Sequence, residues 1–183
     1  CLESIHDQRH AASGPRSTSI MTNVITSNPA IRDIEELLYD EAAFLDKADL
    51  DGWIELYTDD GTYWMPVLPD QEDPVNHISL FYDDRVLMEI RRRNLKHPRA
   101  ASKDYPIRCS HIISNIRVTE QVDETTTVES NFHCLVYYND RQTTYGGTYR
   151  HELVRSDSGL KIRRKRVDLI NCDAALNTII IYL

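Results

Sequence analysis

Cys109-Ser110-His111 comes nearest to a cofactor motif in this chain. A thiol and an imidazole at this spacing form half of the C-x-H…C-x-x-H pattern by which two Cys and two His hold an iron–sulfur cluster. The second half is missing. His133 precedes Cys134 with nothing at the required spacing after it, and no His follows Cys172. Cys109 and His111 therefore read as strand side chains, one of them packed and hydrogen-bonded. His6 and His10 have H-x-x-x-H spacing but lie in a polar leading segment, where metal binding would be adventitious. A two-His-one-carboxylate iron site drawn from several strands would leave no local signature. The expectation is no metal ligand and no cofactor-binding residue in this chain.

Acid–base chemistry has its residue types in Tyr39, Asp40, Tyr63, His111 and Asp168. In a pocket they could run a dehydratase or isomerase, and a stand-alone enzyme of that kind is the alternative reading. Asp59-Asp60 reads as a turn and Asp83-Asp84 as a helix cap, since paired glycosidase carboxyls face each other across a cleft. No G-x-S-x-G, G-x-G-x-x-G or P-loop pattern occurs. No catalytic residue is assigned.

The charged residues point instead to a surface. Lys161, Arg163, Arg164, Lys165 and Arg166 crowd the last long strand. Alternation puts Arg163 and Lys165 on one face and Arg164 and Arg166 on the other. Basic groups on both faces suggest carboxylate partners in a subunit interface. The apolar run Ile179 to Leu183 also calls for cover. Candidate interface residues are Arg91, Arg92, Arg164, Arg166, Tyr182 and Leu183.

The elements that must position these residues are helices first and strands afterwards. Ile31, Ile34, Leu38, Leu45 and Ala48, widened by Leu37 and Phe44, predict a helix over 29–48 with Asn28 as N-cap and Pro29 in its first turn. Asp49 or Asp51 can cap a short helix carrying Trp53 and Ile54. Asp59-Asp60-Gly61 is a turn signal, and a strand follows over 62–67. A third helix is predicted over 83–96, capped by Asp83, with Val86, Leu87 and Ile90 buried and Glu89 paired to Arg93. From Ile107 the period becomes two. Strands are predicted over 108–120, 125–138, 142–155 and 161–171, joined by short turns into an antiparallel meander. Gly146-Gly147 marks a bulge or bend. This is an α+β chain in which a long curled sheet holds the helices in its concave face, giving a cone with a possible pocket.

Composition narrows the function classes. Of 183 residues, 21 are Lys or Arg and 29 are Asp or Glu, for a net charge of -8. That balance disfavours nucleic acid, whose affinity comes mainly from phosphate neutralisation. No apolar run reaches the ~18 residues of a membrane span. The four cysteines form no C-x-x-C pair, and reduced thiols in the cytoplasm are the expectation. Residues 1–20 read as a flexible tail upstream of the natural start at Met21, and 21–183 as one domain.

The order of features resembles the small β subunit of the aromatic-ring-hydroxylating (Rieske non-haem iron) dioxygenases. The resemblance rests on Ile34 to Ala42 with Leu45-Asp46, on Trp53 to Pro66, and on Phe81 to Leu87 leading into Ile90-Arg91-Arg92. It continues in Arg108 to Val118, in Gly147 to Val154, and in Ile162 to Asn171. It covers 31–183, and the segments Tyr82 to Leu87 and His111 to Val118 are its more specific parts. The resemblance implies a cone like that of nuclear transport factor, steroid isomerases and scytalone dehydratase. It implies a mainly structural chain in a complex of three α and three β subunits. The α subunit would carry the Rieske [2Fe–2S] cluster and the mononuclear iron, and ferredoxin and reductase would act through it.

Overall fold

Helix α1 (Ile31–Asp46) buries Ile34, Leu37, Leu38, Glu41 and Leu45, a stripe at helical spacing. The structure, a computed structural model, describes residues 29–95, 106–176 and 178–183. Asn28, the leading segment and Lys96 lie outside these residues. The N-cap of α1 is Ala30, in extended conformation and without a side-chain cap, so Pro29 precedes the helix. Helix α2 (Leu50–Glu55) is capped by Asp49, whose Oδ1 accepts the Gly52 N–H at 3.1 Å.

Strand β1 (Tyr57–Pro66) includes the Asp59-Asp60-Gly61 segment, which does not end the strand but interrupts its pairing. Strand β2 (Ser79–Asp84) returns antiparallel to β1 and runs directly into α3 (Arg85–Leu95). The cap of α3 is Asp84, which accepts the Leu87 N–H at 2.9 Å; Asp83 is a buried strand residue instead. The buried side of α3 also differs from expectation. Met88 is covered, while Val86, Leu87 and Ile90 are exposed. The Glu89 carboxylate pairs with Arg92, while Arg93 donates to the Glu89 backbone carbonyl at 3.4 Å. An apolar spacing of three and four identifies a stripe, but cannot say that the helix lies beyond the sheet's cover.

Strands β3 (Arg108–Val122), β4 (Thr125–Tyr138), β5 (Arg141–Ser156) and β6 (Gly159–Leu169) form the predicted antiparallel meander. Asn139 and Asp140, both at positive φ, make the two-residue turn between β4 and β5. The sheet order is β2-β1-β6-β5-β4-β3, and β1 pairs with β6 in parallel. Along β4, Val128, Ser130, Phe132, Cys134 and Val136 face the helices, and the residues between them face outward. The helices lie in the concave face, and the core is the space between.

Two irregularities shape the cone. The register of β4 with β5 runs unbroken through Gly146-Gly147, so this is a close approach rather than a bulge. A Cβ on Gly147 would fall 1.9 Å from the Asp168 carbonyl oxygen. Register shifts lie elsewhere, in β3 against β4, in β1 against β2, and in β6, where Glu152 pairs with Arg164 yet Leu153 pairs with Ile162. Arg163 is the extra residue, and it breaks the expected alternation. Arg163 and Arg164 are both exposed, whereas Lys165 is buried among the helices.

Candidate functional site

Glu41 is the polar centre of the cone. Its side chain is 1% exposed, on the apolar stripe of α1. Lys165 Nζ from β6 lies 3.0 Å from Oε1, and His151 Nε2 from β5 lies 3.0 Å from Oε2. Trp53 Nε1 donates to Oε1 at 3.2 Å and the Tyr57 hydroxyl at 3.3 Å. Burial alone would raise the Glu41 pKa, but the Lys165 and His151 contacts hold it well below the usual carboxylate range. Burial lowers the pKa of His151 and of Lys165, each opposed by Glu41. The Lys165 ammonium also sits 4.0 Å from the centre of the Tyr149 ring. Glu41 is thus a carboxylate saturated with donors, with little basicity to offer a substrate.

The same interior is filled from the other side. Tyr182 stacks on Trp53 at 4.3 Å, and its hydroxyl donates to Asp83 Oδ2 at 2.7 Å. Leu183 is fully buried, and its N–H donates to the Tyr63 hydroxyl at 3.1 Å. The apolar segment expected to need a partner is therefore covered by this chain's own core at Tyr182 and Leu183, which removes the reason for placing them in an interface.

A second polar group lies at the cone mouth. Asp46, at the end of α1, meets His111 Nδ1 at 2.6 Å and accepts the His111 backbone N–H at 3.0 Å. Burial keeps the His111 pKa low against the pull of Asp46. Cys109 faces the same place and donates to the Leu45 carbonyl at 3.3 Å; burial and Asp46 push its thiol up to about 11. A cavity of about 360 Å³ opens beside it, lined by Leu45, Phe81, Ile107, Cys109, Ile179 and Tyr182 among others. Asp46 had no sequence signal as a site residue, because it lies 63 positions before Cys109 and only the fold joins them.

These groups do not fit the cofactors of a Rieske oxygenase. The third group beside Cys109 and His111 is a carboxylate, whereas the cluster needs two Cys and two His. His151 shares its carboxylate with the Lys165 ammonium, a cation that repels a metal from that position.

The five acid–base candidates do not converge. Tyr39 and Asp40 are exposed on α1, Tyr63 is buried against Leu183, His111 belongs to Asp46, and Asp168 is paired with Arg166. The four candidate interface arginines all have carboxylate partners within the chain. Arg91 holds Asp83, and Arg92 holds Asp51 and Glu89. Arg166 grips Asp168 at 2.7 Å and lies 4.4 Å over the Trp64 ring, while Arg164 reaches Glu152 at 3.2 Å. Only the last is more than half exposed, at 57% of its side chain. Glu41 and Lys165, the centre of the interior, were not read as a site. The available signal was a carboxylate seven residues after Ile34 and four before Leu45, on an otherwise apolar line.

The family model for ring hydroxylating beta subunits matches residues 40–174, from the middle of α1 to beyond β6. The chain belongs to this family. The 2-halobenzoate 1,2-dioxygenase small subunit of Burkholderia cepacia is 32% identical over 76% of this chain and 87% of that one. The crystal structure of the benzoate 1,2-dioxygenase beta subunit of Burkholderia mallei superposes with a TM-score of 0.70 at 30% identity, covering 84% of this chain and 99% of that one. A scytalone dehydratase-like protein of Novosphingobium aromaticivorans shares the cone alone, at 18% identity and a TM-score of 0.60, with 81% and 89% of the two chains covered. As a β subunit the chain is one component of an aromatic-ring-hydroxylating dioxygenase, an oxidoreductase, and it implies an α partner. The α+β cone expected from the sequence is the fold it has.

Proposed function

We propose that this β subunit supports the assembly of catalytic α subunits, three of each, in an oxygenase that adds O2 to an aromatic ring. The α subunit carries the Rieske [2Fe–2S] cluster and the mononuclear iron, and ferredoxin and reductase deliver electrons to it. The 2-halobenzoate and benzoate dioxygenases among its relatives support an aromatic carboxylate as the substrate class. One observation carries the supporting role. The titratable groups inside the cone are tied to one another, Glu41 to Lys165, Trp53 and His151 and Tyr182 to Asp83, which leaves no free acid–base pair there among the described residues. The unpaired Cys109, Cys134 and Cys172 fit the reducing cytoplasm, and no helix among the described residues is long and apolar enough to cross a membrane.

The test is co-expression with the α chain, with light scattering and turnover measured on the chain alone and on the complex. A three-plus-three mass, with turnover and Rieske absorbance only in the complex, is the expected result. Turnover of a small aromatic by the chain alone would overturn it. Arg164→Ala lowers the yield of complex while the isolated chain keeps its melting temperature; normal assembly of that variant removes Arg164 from the interface.

A further inference from the structure

We propose that Asp46, Cys109 and His111 form a site for a zinc-class divalent cation. One ligand atom from each of the three lies within 4.8 Å of the others. A thiol, an imidazole and a carboxylate are the donor set that suits this class of metal.

Three further features favour a cation there. The His111 side chain is 1% exposed, and its Nδ1 lies 2.6 Å from Asp46 Oδ1, so imidazole and carboxylate already face one point beside the Cys109 thiol. Nδ1 is then the imidazole ligand, and the carboxylate turns from Nδ1 to the ion. The site also lies at the C-terminal end of α1, where the backbone is negative and attracts cations. Finally, the Cys109 side chain lines the cavity at the cone mouth, which supplies an entry path, and the Asp46 side chain is 30% exposed.

The binding step is a ligand exchange. The ion forms a bond to Cys109 Sγ and the S–H bond breaks, its proton leaving to solvent. Asp46 and neutral His111 bind through lone pairs, and nothing is oxidised or reduced. Binding at this site does not require an α subunit.

The test titrates the reduced full chain with Co2+ and follows the thiolate-to-cobalt charge-transfer absorption, then measures zinc content after exchange and desalting. The expected result is one ion per chain with a charge-transfer band. Cys109→Ser abolishes the band, and His111→Gln, which removes a direct ligand, weakens binding by at least the ~10–100-fold that loss of an outer-shell partner costs. His6→Ala with His10→Ala leaves both readouts unchanged. In the unsubstituted chain, saturating zinc slows alkylation of Cys109. A chain with no charge-transfer band, a band that survives Cys109→Ser, or an alkylation rate indifferent to zinc would each overturn the site.

Discussion

Lys165 Nζ lies 3.0 Å from Glu41 Oε1, with both side chains 1% exposed. This contact ties the first helix to the last strand of the sheet. A buried pair of this kind adds little net stability over a well-packed apolar pair, but removing one partner strands the other charge. Lys165→Met should cost ~3–5 kcal/mol. Combining it with Glu41→Gln, which removes the stranded charge but keeps an acceptor for Trp53 and Tyr57, should recover part of that loss. Urea unfolding of the single and double variants checks the cycle; a double variant no better than Lys165→Met contradicts it.

The interior should also make the protein acid-sensitive in two stages. His151 has a folded pKa below the unfolded value of about 6.5, so the unfolded chain binds more protons beneath that pH. Stability therefore falls as pH drops from about 6.5 toward the folded value. Glu41, with its pKa lowered on folding, contributes stability that is complete above about 4.3 and is lost as pH falls further. Each group contributes at most about 1.4 kcal/mol per pH unit. Unfolding free energy measured from neutral to acid pH should show both stages. His151→Gln should reduce the upper one and leave the part carried by His111, whose pKa burial also lowers.

Tyr182 separates ring packing from hydrogen bonding. Its ring lies against Trp53, Tyr63 and Phe81, and its hydroxyl bonds a carboxylate that also holds Arg91. Tyr182→Phe should cost ~1.5–3 kcal/mol, the range for a bond to a charged group. Tyr182→Ala adds a core cavity and should bring the loss to ~3–5 kcal/mol. Equal melting temperatures for the two variants would show that the ring contributes nothing.

Gly147→Ala should be poorly tolerated. The new Cβ would meet the Asp168 backbone, which cannot rotate away as a side chain does. The expected loss is at the top of the ~1–3 kcal/mol range for overpacking, or beyond it. Gly146→Ala meets the edge of the His133 ring at 3.0 Å and should cost less. Thermal unfolding of the two neighbours decides between a position-specific clash and a general dislike of alanine in β5.

The meander was legible because its signals are local. Alternation over Val128 to Val136 and the Asn139-Asp140 turn need only neighbouring residues to be read. The same holds for the cap at Asp49 and the stripe of α1. What failed depended on distance. One inserted residue at Arg163 reverses the facing of everything before it in β6, and a bulge has no composition signal among five basic residues. The apolar run Ile179 to Leu183 looked unpartnered because its cover comes from Trp53, Tyr63 and Phe81, more than ninety residues earlier. Asp46 and Glu41 looked like ordinary helix carboxylates until β3, β5 and β6 brought His111, His151 and Lys165 to them.

The parallel contact of β1 with β6 has a consequence during synthesis. Tyr57 pairs with Ile162, and Trp64 with Arg166, so this seam closes a loop of roughly a hundred residues. Helices α1 and α2 and the β1–β2 hairpin leave the ribosome long before their central neighbour exists. Until β6 arrives, Glu41 lacks its ammonium partner and one edge of β1 stays open to pair with other chains. High sequence separation of this kind slows folding and lengthens exposure to aggregation. The nascent β subunit therefore passes through a stage in which an open edge of β1 waits for the last strand to close it.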